Sequence, residues 1–274
     1  MSMNSFHARQ GKPRDEKPAK KPVDRGGMQR ADALLVQQGL ATSRTAAQRL
    51  IEAGRVLLDG TPLSKAALSL PPDAALSVVA DEDDRYVSRG GLKLAGALAE
   101  SGMRVAGLRC LDVGQSTGGF SDCLLQAGAA QVVGVDVGHG QLHPRLKTES
   151  RLTAIEGVNC RHLSPADLGP ALPPGGFDRI VGDVSFISLT LILPQLPPLL
   201  AADGEMLLLV KPQFEVGPGN LGKGGIVRDP ALYAEVEQKL RDFAQNLGLT
   251  VKAWLNSPIA GGDGNREFFI WLNP

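Results

Sequence analysis

Four charged side chains sit beside apolar stretches of this 274-residue chain. Lys93 lies in Ser88-Arg89-Gly90-Gly91-Leu92-Lys93-Leu94, and Asp183 ends Ile180-Val181-Gly182-Asp183. Lys211 ends Leu207-Leu208-Leu209-Val210-Lys211, just before Pro212, and Glu267 opens Glu267-Phe268-Phe269-Ile270-Trp271. One at a time, each reads as a strand-end charge meeting water. As a set, two lysines and two carboxylates can hold, share and move a proton. A lysine acts as a base only if some of it is neutral near pH 7, so its reference value of ~10.4 must fall. Burial and a second cation lower it, whereas a neighbouring carboxylate opposes the shift. Lys211 as base with Lys93 as the neighbouring cation is therefore coherent, with Asp183 orienting Lys211. A Lys211 that stays charged and only orients its substrate is the alternative.

The elements that must position these groups follow from hydrophobic patterning. Apolar runs at 108–113, 132–136, 179–184, 205–211, about 249–255 and 267–272 are mostly separated by helix-length stretches. That alternation predicts an α/β domain with a parallel, doubly wound sheet. Such sheets bind ligands at the carboxyl ends of their strands. The first run leads into Leu111-Asp112-Val113-Gly114-Gln115-Ser116-Thr117-Gly118-Gly119-Phe120, and the second ends at Asp136. The glycine spacing is not the G-x-G-x-x-G of a dinucleotide site. An acidic residue at the second strand end suits both hydroxyls of a ribose. An early Asp112, a glycine loop without the pyrophosphate pattern and Asp136 together predict an adenosyl ligand lacking phosphate, S-adenosylmethionine. The expected contacts are Asp112, Gly114, Ser116, Gly118, Gly119 and Phe120 at its methionine end and Asp136 at its ribose. Residues 217–224, GPGNLGKG, nearly match a phosphate-binding loop, but Gly224 replaces the serine or threonine that would hold magnesium. This segment reads as a mobile loop over the active site.

Composition narrows the remaining classes. No apolar run is long enough to cross a bilayer, and no signal-peptide core follows the N-terminal charges. Cys110, Cys123 and Cys160 are too scattered for a disulfide framework or zinc knuckle, and His139 and His143 have no accompanying metal motif. The expectation is a cytoplasmic, metal-free monomer. Residues 1–27 carry seven basic against three acidic residues, a net +4, with almost nothing apolar, and read as a disordered basic tail. Residues 28–80 read as a compact unit. A short helix face of Leu34, Leu35 and Leu40 comes first, then a second helix capped by Thr42 or Ser43. A strand from Arg55 enters an Asp59-Gly60 turn, and a further strand covers 75–80. Residues 81–87 form an acidic linker, and 88–274 the catalytic domain.

The stretch RADALLVQQGLATSRTAAQRLIEAGRVLLDG resembles the S4-like RNA-binding domain, a small α+β unit. That resemblance places Arg30, Arg44, Arg49 and Arg55 on structured RNA, and Arg89 of SRGGLKL is counted with them. Where the family carries a Gly-Asp turn, this chain has Pro71-Pro72-Asp73. SRGGLKL, DVGQSTGGF, VVGVDVGHGQL, GDVSFISL, LVKPQFE, GKGGIVRDP and GNREFFIW follow in order, and the whole from about residue 28 resembles the TlyA family. The resemblance implies a Rossmann-like, S-adenosylmethionine-dependent methyltransferase sheet of FtsJ type behind an S4-like domain. It implies ribosomal RNA or ribosomal subunits as partner, with 2′-O-methylation of a cytidine ribose in 16S or 23S RNA. Its Lys-Asp-Lys-Glu tetrad falls on Lys93, Asp183, Lys211 and Glu267, with Glu267 holding Lys93 or the ribose. Asn159 falls where the related enzymes place an acidic residue near the adenine amino group. Two other classes compete: a non-catalytic RNA-binding or ribosome-assembly factor, and the hemolysin that some family labels suggest. Nothing in the sequence supports membrane insertion.

Overall fold

The computed structural model describes residues 27–41, 43–79 and 85–274. The basic tail up to residue 26, the Thr42 cap and the acidic run at 81–84 lie outside these residues. The chain divides after Ala80 into two compact units.

In the small unit, β1 (Gln29–Arg30) leads into α1 (Ala31–Gln37), followed by α2 (Arg44–Glu52). Ser43 caps α2, its Oγ accepting from the Ala46 amide at 3.1 Å. That bond satisfies one of the amides left free at a helix start. β2 (Val56–Leu58) and β3 (Thr61–Pro62) form a hairpin. Asp59 and Gly60 both have positive φ there, 49° and 78°, the twist that a two-residue hairpin requires. β4 (Ser69–Leu70) pairs with β1, and β5 (Leu76–Val78) with β2. Pro71-Pro72-Asp73 still makes a turn, closed by the Ala74 amide on the Pro71 carbonyl at 3.0 Å. Leu34, Leu35, Ala47, Ile51 and Val56 fill the core.

The larger unit starts with α3 (Arg89–Ser101), then β6 (Arg109–Val113), α4 (Gly119–Gln126), β7 (Gln131–Asp136) and β8 (Leu152–Glu156). After α5 (Pro165–Leu168) come β9 (Phe177–Gly182), β10 (Leu200–Val210), α6 (Leu232–Asn246), β11 (Thr250–Asn256) and β12 (Phe268–Asn273). The seven strands lie in the order β8-β7-β6-β9-β10-β12-β11. Alternate residues serve opposite faces, as the two-residue strand repeat demands. Leu111, Val133, Ile180 and Leu208 share one core with residues of α5, the 189–199 turns and α6, and Cys110, Val132, Val181 and Leu207 a second with α3 and α4.

Three features depart from the sequence expectation. The sheet is mixed, because β12 runs antiparallel between β10 and β11. β8 has no counterpart among the apolar runs: it is an edge strand, and only Leu152 and Ile155 are even half-buried. Between β9 and β10 stand three single 3-10 turns at 189–199 in place of a helix. Pro194, Pro197 and Pro198 lack the amide an α-helix needs.

Candidate active site

From β6 the chain steps to β7 and β8 on one side and later to β9 and β10 on the other. The carboxyl ends of β6 and β9 therefore bound a crevice at the point where the strand order reverses. Val113 pairs with Gly182 across it, and the Asp183 amide donates to the Val113 carbonyl at 3.0 Å. Gly114 turns away with φ 86°, and a Cβ there would stand 2.8 Å from the Asp183 carbonyl oxygen. Only glycine lets the two strand ends approach this closely.

A cavity of about 520 Å³ opens at this crevice. Gly114, Ser116, Asp136 and Asn159 line one side of it, and Asp183 to Ile187 the other. The Asp136 carboxylate accepts from the Ser116 amide at 2.8 Å and the Gly138 amide at 2.7 Å, which fixes it at the end of β7. A smaller cavity of about 150 Å³ adjoins, sharing Gly114, Ser116, Asp183 and Ser185 and adding Gly119, Phe120 and Lys211. Six of the eight expected cofactor residues thus line one cavity or the other.

Asp112 and Gly118 line neither of these two cavities. Asp112 is fully buried: its Oδ2 accepts from Ser121 Oγ at 2.7 Å, and Ser121 Oγ accepts from Gln115 Nε2 at 2.9 Å. Burial pushes its carboxyl up to about 7, against the Ser121 hydrogen bond. Its role is to brace the glycine loop from behind. Gly118 begins α4 in a left-handed conformation facing Leu142 and Leu146. Phe120 is mainly a core residue, stacked on Phe269 with centroids 6.1 Å apart. The Asn159 carbonyl oxygen already accepts from the Arg161 amide at 3.0 Å, capping a 3-10 turn, so one lone pair is left for an adenine amine.

The four charged residues come from four places in the fold and resolve into two ion pairs. Lys93 on α3 meets Glu267 at 2.5 Å, with side chains 10% and 3% exposed. Lys211, just after β10, meets Asp183, just after β9, at 2.5 Å. Lys211 Nζ also donates to Ser185 Oγ at 2.6 Å. The reversed direction of β12 makes this possible. Val210 pairs with Phe268, so Glu267 starts its strand where β10 ends. Burial raises the Glu267 carboxyl above its ordinary range, opposed by Lys93 and then by Lys211.

A third cavity, about 390 Å³, is lined by Lys93, Lys211 and Glu267 together with Phe186, Gln213 and Phe214. Phe186 is 89% exposed with φ 63°, and its ring lies 5.2 Å from that of Phe214. Leu221, Gly224 and Gly225 form part of the wall, so the glycine-rich 217–224 segment does border the site. It is pinned there by Asn265, which is fully buried, accepts from the Val227 amide and donates to the Gly225 carbonyl, each at 3.0 Å. Asn265, Gln213 and Ser185 were not singled out from sequence. Nothing in the types or spacing of single polar residues beside a strand end distinguishes them from ordinary loop residues.

In the small unit, Arg30 and Arg44 converge on the fully buried Asp32 at 2.8 and 3.2 Å while staying half-exposed themselves. Arg49 is exposed. Arg55 is half-buried and donates to the Val79 carbonyl at 3.1 and 2.8 Å, so it also holds the end of β5. Arg89, at the start of α3 in the larger unit, donates to the Ala260 carbonyl at 3.0 Å.

Sheet order, switch-point cavity and paired lysines and carboxylates define an α/β methyltransferase. Residues 86–274 match the FtsJ-like methyltransferase family and residues 29–74 the S4 domain. The chain belongs to the TlyA family, in which these two domains are joined. It is 46% identical over 243 residues, covering 89% of each chain, to the 16S/23S rRNA (cytidine-2′-O)-methyltransferase TlyA of Mycobacterium tuberculosis. It is 37% identical to Hemolysin A of Brachyspira hyodysenteriae, covering 87% of this chain and 97% of that one. A solved structure from Streptococcus thermophilus, described as a hemolysin, superposes with a TM-score of 0.70 at 40% identity, covering 90% of this chain and 88% of that one. Among the described residues no helix is long and apolar enough to cross a membrane.

Proposed function

We propose that the protein methylates the 2′-hydroxyl of a cytidine ribose in ribosomal RNA, using S-adenosylmethionine. The observation that carries this reading is the position of the Asp183–Lys211 pair. Both residues line the small cavity beside the glycine loop, and Lys211 also lines the cavity that holds Lys93 and Glu267. The residues present fit the cofactor. Asp136 is held by two amides at a ribose position, Gly114 permits close approach, and the larger cavity has a mostly apolar far wall including Val184 and Ile192. When bound, S-adenosylmethionine would supply an electrophilic methyl carbon, and the neutral thioether would leave as an oxygen attacks that carbon in line.

The chain's own residues do the rest by positioning. The Lys211 ammonium has three donors, of which Asp183 and Ser185 take two, leaving one to aim at the ribose oxygen. This geometry favours Lys211 as a charged, orienting group over Lys211 as a base. The Lys93–Glu267 pair stands beside it and supplies a carboxylate acceptor for a ribose hydroxyl proton. Phe186 and Phe214 offer aromatic faces to an unstacked base in the same cavity. The S4 unit contributes Arg30, Arg44, Arg49 and Arg55 as contacts to RNA phosphates.

The test is transfer of tritiated methyl from S-adenosylmethionine to ribosomal RNA and to intact ribosomal subunits. Wild type should label one or a few nucleotides and make the adjoining bond resistant to alkali, and Lys211→Ala should not. Protein that binds the cofactor yet labels no form of ribosomal RNA would exclude this substrate.

A further inference from the structure

We propose that Gln213 reads the base of the acceptor nucleotide, using its side-chain carbonyl as a fixed acceptor for an exocyclic amine. The inference rests on the function proposed above and names the group that selects its substrate. Gln213 follows Lys211 by two residues and lines the cavity that contains Lys93, Lys211 and Glu267. The residue is more than nine-tenths buried, and among the described residues its Oε1 has no hydrogen-bond partner. Native structures rarely leave a buried amide oxygen unpaired, and the exceptions call for an explanation.

The orientation of this amide is not arbitrary. Gln213 Nε2 donates to Asp263 Oδ2 at 3.2 Å, and that carboxylate also accepts from Asn265 Nδ2 at 2.9 Å. A carboxylate only accepts, so the amide must present nitrogen to Asp263 and oxygen away from it. Asp263 in turn is held by the Asn265 amide at 3.1 Å. The oxygen is thus preset as an unpaired, buried acceptor on a residue that lines the same cavity as two aromatic rings.

An acceptor at this point requires a donor from the ligand. In the reaction proposed above the lysines and carboxylates serve the ribose hydroxyls, which leaves the base. Of the two pyrimidines, cytosine carries an amine at C4 and uracil an oxygen. Cytosine completes the pair, whereas uracil sets oxygen against oxygen and leaves both unsatisfied. A site built on a buried hydrogen bond rejects the analogue that lacks the matching group far more strongly than an apolar pocket does.

The test uses the full-length protein and ribosomal RNA carrying, at the mapped acceptor position, cytidine, uridine or 2-pyrimidinone riboside, which is cytidine without its amine. Wild type is expected to favour cytidine over both others by roughly tenfold or more in kcat/KM. Gln213→Met, matched in shape but lacking the acceptor, should lower cytidine to the level of 2-pyrimidinone and leave the latter unchanged. Asp263→Asn keeps Gln213 but allows the amide to turn over, and should narrow the cytidine-to-uridine ratio. This variant carries the test if Gln213→Met fails to fold. A common loss on all three substrates, or an unchanged base ratio, would overturn the proposal and reduce Gln213 to a packing residue. Should wild type methylate no RNA, the reaction proposed above fails. The acceptor is then judged by binding of cytidine and uridine 5′-monophosphates, where a wild-type preference lost in Gln213→Met supports it and equal binding refutes it.

Discussion

Asp32 in the small unit and Asp112 in the large one are both fully buried, yet their surroundings drive them in opposite directions. Asp32 accepts from Arg30, Arg44 and Gln48, and these partners, Arg30 foremost, hold its carboxyl far below the usual range despite burial. Asp112 has Ser121, through its hydroxyl and its backbone, and no cation among the described residues that act on it, so burial wins and its carboxyl rises to about 7. The first is a charge kept charged, and it gathers two arginines at the surface. The second sits behind the glycine loop, and among the described residues no cation pairs with it. Partner type, more than depth, decides what a buried carboxyl does.

Asp183 and Glu267 extend the comparison, because their lysine partners are themselves largely buried. The largest expected effect lies here. Lys211→Ala or Asp183→Asn should lower kcat for methyl transfer by roughly 10²–10⁴-fold, with cofactor affinity little changed by equilibrium dialysis. Lys211→Arg separates the two roles: arginine keeps the charge but cannot give up a proton. Substantial residual activity would support orientation, and activity as low as that of Lys211→Ala would restore the base.

Next in size is Asp32→Ala, which should cost the small unit about 1–3 kcal/mol. Hydrogen exchange of the amides in α1 and α2 would report it, with those of β6 to β12 unaffected. The pH dependence has a definite sign. A carboxyl lowered by folding contributes stability above its ordinary range, and that contribution drains away as pH falls through and below that range. Acid should therefore loosen α1 and α2 in wild type, and this acid dependence should be smaller in Asp32→Asn.

Asp112 should show the opposite slope. Its folded value of about 7 lies above the ordinary aspartate value of 3.8, so its contribution is complete in acid and is lost as pH rises towards and through about 7. Thermal unfolding of the large unit followed from pH 4 to 8 should reveal this loss, and Asp112→Asn should flatten it. An unchanged slope would remove Asp112 from the comparison.

The smallest effect on folding is expected at Arg44, which is 57% exposed. Arg44→Ala should shift stability by no more than about 0.5 kcal/mol. If Arg44 contacts an RNA phosphate, the same change weakens binding to ribosomal RNA and lowers its salt dependence by about one ion.

Much of this architecture was legible in the sequence, for identifiable reasons. Buried strands such as β6, β7, β9 and β10 are continuous apolar runs, and the glycine loop announces itself between β6 and α4. β8 was not legible, because an edge strand buries too little to leave a pattern. The reversal of β12 was hidden for a different reason: an apolar run carries no direction, and only pairing with β10 sets it. The four charged residues could be selected by the apolar stretches beside them, but not sorted into pairs, since Lys93 on α3 meets Glu267 across 174 positions of sequence. Asp112 could be selected because it precedes the loop, but its hydrogen bond to Ser121 could not be read from sequence. The resemblance picks out Arg30 and Arg44 one by one, whereas Asp32, which unites them, gave no signal of its own.

The place of β12 in the sheet bears on how the protein is made. A chain emerging from a translating ribosome releases Lys93, Asp183 and Lys211 well before Glu267. Until β12 emerges, β10 keeps an open edge and β11 has no neighbour to join, since β12 lies between them. Lys93 meanwhile lacks the carboxylate that pairs with it. Closure of the sheet and completion of the charged cluster are thus a single late event in biosynthesis, and a nascent chain stalled before that strand would carry the crevice between β6 and β9 without the complete set of charges.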